Sequence, residues 1–312
     1  TIIKLLNDNA TELGVVSGNA NLDTTHHYTK MNLTEHSLIL SADVKHDGNN
    51  GFVDVTLKNI TGHKFPTGFP SRRMWIHFSA INSTGDTIFE SGNYDHDGII
   101  YSKDSLEPHY DTISDSSQAQ IYEAVMGNTQ HEVTNVLLEA SQYLKDNRIP
   151  PEGFTAGESY DSLIAITGEA KTDPNFNRYT DGIQGSGSDR VTYAFPLAGS
   201  SMQYNIEVCY QSIKPGFSDH LAQSSTDESV LFTSMYSMAD KIEVISQLEL
   251  KVDLTDDIEH EVVQWECYPN PSSGEVYISG LQSKTLYYAV YSLMGDLVDE
   301  GKADDGSIQL NN

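Results

Sequence analysis

Residues 59–78, NITGHKFPTGFPSRRMWIHF, concentrate side chains that do chemistry. His63 and Lys64 follow Gly62, which permits a turn that a Cβ would forbid. Pro66 and Pro70 fix φ on either side of Gly68, so the loop is stiff and mounts His63 and Lys64 firmly. Arg72 and Arg73 open a strand. Alternation along it places Arg73, Trp75 and His77 on one face and Arg72, Met74, Ile76 and Phe78 on the other. A half-buried arginine needs a carboxylate in bidentate geometry. The acids of FESGNYDHDG (89–98) and LEPHYD (106–111) are candidates to supply it. Those same segments offer Asp95, Asp97, Glu107 and Asp111, closely spaced oxygen donors beside a glycine turn, which suits Ca²⁺. The spacing is not that of an EF-hand, and salt bridges to Arg72, Arg73 or Arg148 are the competing use. His77, on a strand, reads as a packed residue, and His26–His27 as an exposed pair in a polar stretch.

Catalytic signatures are missing. The chain has no GxSxG, HExxH, P-loop or GxGxxG pattern, so no enzymatic activity is expected of it. Its two cysteines, Cys209 and Cys267, are 58 positions apart in EVCYQ and WECYPNP, as a disulfide between domains or as buried thiols. No CxxCH occurs, which excludes covalent haem attachment through that motif within these residues.

With 312 residues the chain has room for two domains. Lysine and arginine total 18 against 45 aspartates and glutamates, a net charge of −27. That balance argues against nucleic acid or an anionic membrane face as partner. No apolar run is long enough to span a bilayer. The chain opens on TIIKLLNDNATELGV with neither an initiator Met nor a signal peptide, and the expectation is a fragment or processed form. Tyrosine (17) outnumbers phenylalanine (10), the balance of an extracellular β protein.

The expected architecture is mainly β: a β-sandwich domain with one or two accessory helices, then a small Ig-like β-sandwich domain. Residues 1–34 read as a short helix and irregular segment. HSLILSADVKH and GFVDVTLKN flank DGNNG as a hairpin, and RMWIHFSAI and TIFESG flank NSTGD as another. AQIYEAVM and HEVT bracket a third turn, GNTQ. The strongest helical pattern covers 132–146, where Val133, Val136, Leu137, Ala140, Tyr143 and Leu144 form a stripe ended by Pro150 and Pro151. Residues 227–240 also read as helical. The sandwich occupies 35–254, an acidic linker 255–264, and the second domain 265–312.

The final segment, with YPNPSSGEVYISG, VYSLMGDLVDEG and SIQL, resembles the type A C-terminal sorting domain of the type IX secretion system. That family is Ig-like and directs export across the outer membrane of Bacteroidota-type bacteria. The resemblance implies an extracellular or cell-surface protein with the secretion machinery as partner. Its closing residues, a lysine-containing strand, are missing here. Asp-Ser/Thr-apolar triplets such as DTI (86–88 and 111–113) resemble O-glycosylation sites of such bacteria and make a glycoprotein the expectation.

NITGHKFPTGFPSRRMWIHF, IFESGNYDHDG, LEPHYDTIS, QIYEAVM, LLEASQYLKDNRIPPEGF and MYSMAD together resemble the non-haem β-domain of bacterial multihaem c-type cytochromes, across about residues 1–250. In that family the CxxCH sites lie upstream, and none is present here. The resemblance implies a module that scaffolds or docks haem domains in extracellular electron transfer, with a haem-bearing cytochrome domain or protein as partner. His63 and His109 are then the candidate axial ligands to haem c of an upstream or neighbouring domain. The alternatives are a haem-less structural or filament-forming surface protein that self-assembles, and a polysaccharide- or metal-binding module.

Overall fold

In a computed structural model the chain divides into two compact units, Thr1–Thr255 and Asp256–Asn312. The structure describes residues 1–16, 19–102, 106, 108–156 and 164–254, and in the second unit the strands at 266–268, 275–279, 285–291, 297–304 and 307–309. The fold is mainly β and the first unit is a β-sandwich.

One sheet of the sandwich is built on the hairpin of β1 (Leu38–Asp47) and β2 (Asn50–Asn59). The other contains β3 (Arg73–Asn82) and β4 (Thr87–Ser91). Both hairpins follow from alternating apolar residues interrupted by Gly- and Asn-rich turns. The rest of the first unit comprises β5 (Thr112–Ile113), β6 (Ile121–Gly127), β7 (Gln142–Asp146), β8 (Ser188–Pro196), β9 (Ser201–Gln211) and β10 (Ile242–Asp253). The first sheet has the order β1-β2-β8-β5 and the second β10-β9-β3-β6-β7, with β4 also on β3.

Alternation along β3 sorts its side chains between two cores. Met74, Ile76 and Phe78 join Val53, Val55, Tyr193 and Ile206 between the sheets. Trp75 packs on the opposite side with Ile100, Ile121 and Cys209. Trp75 Nε1 donates to the Gly92 carbonyl at 3.0 Å. Gly92 has φ +73°, and a Cβ there would lie 2.1 Å from the Ile76 carbonyl oxygen, so no other residue fits.

Among the described residues four helices accompany the sheets: α1 (Ile2–Asp8), α2 (Asn19–Glu35), α3 (Pro215–Ala222) and α4 (Asp227–Ser237). Leu5 of α1 and Met235 and Tyr236 of α4 form a third small core. The helix expected over 132–146 does not form. That stretch holds a 3-10 turn at Leu137–Glu139, then β7, which pairs with β6. The apolar stripe is not buried: Val133 is 52% exposed and Leu137 59%, and Val136, Ala140, Tyr143 and Leu144 are only partly buried. Tertiary pairing of the buried Lys145 and Asp146 overrides the local pattern.

In the second unit β11 (Glu266–Tyr268), β12 (Glu275–Ser279) and β15 (Ser307–Gln309) form one sheet, and β13 (Thr285–Tyr291) and β14 (Leu297–Asp304) another. No helix among the described residues is long and apolar enough to cross a membrane.

Candidate functional site

The loop 59–72 is held from both ends. Asn59, at the end of β2, donates through Nδ2 to the carbonyls of His63 (2.6 Å) and Ile149 (2.8 Å). Its Oδ1 accepts from the Thr61 N–H and hydroxyl. Phe65 pairs through its backbone with Ile149 in both directions. Lys64, largely buried, donates to Asp146 Oδ2 at 2.9 Å and to the Ala165 carbonyl at 3.0 Å. Asp146 also receives Arg148 Nε and Nη2, both at 2.8 Å. Burial lowers the Lys64 ammonium from its usual range, with Asp146 opposing. The His63 ring stands exposed on this pinned loop, and it makes no hydrogen bond among the described residues.

His109 is placed differently. Its side chain is 1% exposed and its Nε2 lies 3.1 Å from Asp173 Oδ2 and 3.7 Å from Asp189 Oδ2. Its Nδ1 faces Gln120 Nε2 at 2.8 Å and Asn147 Nδ2 at 3.1 Å. Neither amide is free to turn over. Asn147 Oδ1 accepts from the Glu123 N–H while Nδ2 donates to the Ile121 carbonyl. Gln120 Oε1 accepts from the Tyr110 N–H. Nδ1 is therefore an acceptor, and the ring proton sits on Nε2, directed at Asp173.

This tautomer decides what the cluster can do. His109, Asp173 and Asp189 offer ligand-type atoms within 4.8 Å of one another. An imidazole bound to a metal through Nε2 must carry its proton on Nδ1, where two amide N–H₂ groups already point. The residues do not fit a metal, and for the same reason His109 does not fit a haem iron. This corrects the ligand expectation for His109, which is a locked hydrogen-bonding residue between the sheets.

Burial opposes the Asp173 charge, but the hydrogen bonds from His109 and the Asn175 backbone outweigh it and keep that carboxyl below the ordinary range. Burial raises the Asp189 carboxyl, against the pull of His109 and of the Tyr122 hydroxyl donating at 2.7 Å. Asp189 Oδ1 is buried with no hydrogen-bond partner among the described residues.

A second polar centre surrounds Glu123 of β6. Lys214 Nζ donates to Glu123 Oε2 at 2.7 Å, and Lys145 Nζ lies 3.7 Å from Oε1. Arg73 donates through Nε to Gln211 Oε1 at 2.9 Å and through Nη2 to the Gly98 carbonyl, with its guanidinium 5.4 Å from the Trp75 ring. Burial works against the Glu123 charge, but Lys214, Lys145 and Arg73 prevail and bring its pKa down to about 2. Among the described residues, the carboxylate whose charge acts on Arg73 is thus Glu123 of β6, rather than one from 89–98 or 106–111. Among their described residues, those two segments give Arg73 the backbone carbonyl of Gly98.

Three of the four acids expected to hold Ca²⁺, Asp95, Asp97 and Asp111, do not gather. Asp95 Oδ1 accepts the N–H groups of Asp97 and Ile99, each at 2.9 Å, and so closes its own turn. Asp97 pairs with Lys241, and Asp111 accepts from Asn175 Nδ2. Glu107 lies outside the described residues. Among the described residues Asp95, Asp97 and Asp111 form no metal-ligating cluster, because each is committed to a local or cross-strand partner. His77 lies between two carboxylates, with Nδ1 3.1 Å from Glu207 and Nε2 3.0 Å from Glu90. Only the doubly protonated ring can donate to both. Arg72 donates to the Thr67 carbonyl. Cys209 is a free, buried thiol; the side chain of Cys267 lies outside the described residues.

Sequence reasoning missed Gln120, Glu123, Asn147, Asp173, Asp189 and Lys214. One signal was available. QIYEAVM carries Gln120 and Glu123 in a stretch that does not alternate, and every residue of β6 is buried. A strand buried on both faces must satisfy its polar residues internally.

No family model matches the chain, and no curated protein matches it. A search of solved structures finds a penta-heme cytochrome c552 from Thermochromatium tepidum with a TM-score of 0.39 and 14% identity. The match covers 72% of this chain and 41% of that one, so the chain spans well under half the length of the cytochrome.

Proposed function

We propose that this chain is a β-sandwich docking module of a multihaem-cytochrome-like protein, presenting His63 to the haem iron of an upstream or neighbouring haem domain. The observation that carries this reading is the contrast between two histidines. His109 has both ring nitrogens spoken for inside the sandwich. His63 has an exposed ring without a hydrogen bond, on a loop fixed by Asn59, Lys64 and Phe65. A ligand delivered to another domain needs that combination of a free nitrogen and a fixed backbone. When bound, haem supplies a one-electron iron couple. This chain's own contribution is to hold one imidazole in place. The resemblance of residues 267–312 to a sorting domain supports placing the module outside the cell.

The test is a titration of the whole chain into a haem c peptide whose iron has one vacant axial position. The expected result is conversion to a low-spin, bis-histidine absorbance spectrum with the native chain and not with His63→Ala. The same conversion with both proteins, which carry other exposed histidines, would refute the role of His63. No conversion with either would leave the structural, self-assembling reading.

A further inference from the structure

A recess of about 270 Å³ opens in the first unit between β3, β6 and the start of α3. Its floor is polar, formed by Arg73, Glu123 and Lys214, and its walls are apolar, with Ile99, Ile121, Val125 and Val133 among them. The protein carries a net charge of −27. Among the described residues, the charged groups lining this recess nevertheless sum to one positive charge, from Arg73 and Lys214 against Glu123.

Three residues of the lining, Arg73, Asn135 and Gly216, have donor capacity unused among the described residues. Arg73 is only 9% exposed, and Nε and Nη2 are bonded to Gln211 and Gly98. Its third nitrogen, Nη1, bonds nothing among the described residues and is not among the sealed polar atoms. The start of α3 lies on the same rim. Lys214 occupies the N-cap position with no side-chain cap, so the Gly216 N–H has no intrahelical acceptor. Asn135 stands against it: its Nδ2 would be 2.7 Å from a Cβ placed on Gly216. The Asn135 side chain makes no hydrogen bond among the described residues.

We infer that this recess binds a small organic monocarboxylate with an apolar substituent. A carboxylate has two oxygens, which suits the buried Arg73 Nη1 on one side and Asn135 Nδ2 with the Gly216 N–H on the other. Its single charge matches the positive charge of the lining. The exposed Val133 and Ile99 at the walls provide the apolar contact that an inorganic anion would leave unused. The recess is below the usual volume range for drug-sized ligands, so the acid is a small one, of the size of benzoate.

The experiment is calorimetric titration of the whole chain with benzoate and, separately, with inorganic phosphate. The expected result is saturable benzoate binding with a Kd of about 1 mM or tighter. Asn135→Leu removes one donor and is expected to weaken it about tenfold, since one charge-assisted hydrogen bond is worth about that much. Val133→Trp fills the mouth and is expected to abolish binding. Neither substitution touches Arg73, Glu123 or Lys214, and melting curves establish that both variants fold. Three results would overturn the assignment: no saturable benzoate signal, benzoate binding indifferent to both substitutions, or phosphate binding as tight as benzoate.

Discussion

Asn147 determines which nitrogen of His109 carries the proton. Its Nδ2 donates both to His109 Nδ1 at 3.1 Å and to the Ile121 carbonyl at 2.8 Å, and its Oδ1 takes the Glu123 N–H at 2.9 Å. One side chain thereby ties the end of β7 to β6 and to the centre of the sandwich.

Asn147→Ala takes this partner from two buried backbone groups, the Glu123 N–H and the Ile121 carbonyl, while His109 Nδ1 keeps Gln120. Each buried group left unpaired costs about 1–3 kcal/mol, and the loss expected is about 3 kcal/mol or more. Urea unfolding measures it. In the native protein, nitrogen NMR is expected to show His109 Nδ1 unprotonated and Nε2 protonated. The opposite assignment would undo the argument against a metal in this cluster.

Glu123 links stability to acid. Its folded pKa of about 2 lies below the unfolded value of about 4.3, so its contribution is complete above the unfolded value and fades as pH falls through about 2. The difference corresponds to about 3 kcal/mol. Glu123→Gln should flatten stability between about pH 4.5 and 2, and it should cost about 3–5 kcal/mol at neutral pH by leaving buried cations unpaired. Denaturant melts across that pH range decide it; an unchanged slope would count against the ionised glutamate.

The Cys209 thiol is pushed up to about 12, chiefly by burial. Since the thiolate is the reactive form, Cys209 should resist iodoacetamide at pH 8 in the native protein and react fully in denaturant. Peptide mass spectrometry reads both states. Rapid native labelling would mean that the Trp75–Ile100–Cys209 core opens.

Gly92→Ala should unfold the domain or destabilise it by more than about 3 kcal/mol, because a Cβ would collide with the Ile76 backbone in a left-handed conformation. His63→Ala, on an exposed ring, should change stability by less than about 0.5 kcal/mol. Thermal melts of the two variants form a matched pair.

The hairpins β1–β2 and β3–β4 were legible because each announces itself twice, by alternation and by its turn. The division of β3 into a Met74–Ile76–Phe78 face and a Trp75 face was legible for the same reason. Two helices were not. The stripe of 132–146 is real as a pattern, but its residues were recruited to an edge strand and an exposed turn. Conversely α2, with the sequence NANLDTTHHYTKMNLTE, is polar all round and offers no stripe to read. The candidate residues divide likewise. The stiffness of the loop that carries His63 could be read in part locally, from Pro66 and Pro70, whereas its anchors at Asp146 and Ile149 are distant in sequence and Gly62 has neither a left-handed φ nor a close neighbour. His109 could not, because Gln120, Asn147 and Asp173 lie 11, 38 and 64 residues away, and only the fold brings them together.

Strand β3 hydrogen-bonds along both of its edges. One edge pairs with β9 from Arg73 to Asn82; the other is shared by β6 at Arg73–Trp75 and β4 at Phe78–Ile81. Both faces are covered as well, so no solvent path reaches its backbone short of parting two sheets. The amides of Met74 to Phe78 should therefore be the last in the chain to exchange with deuterium, at a rate set by global unfolding rather than by local breathing. The loop that carries His63 runs directly into this strand, which fixes one of its two ends.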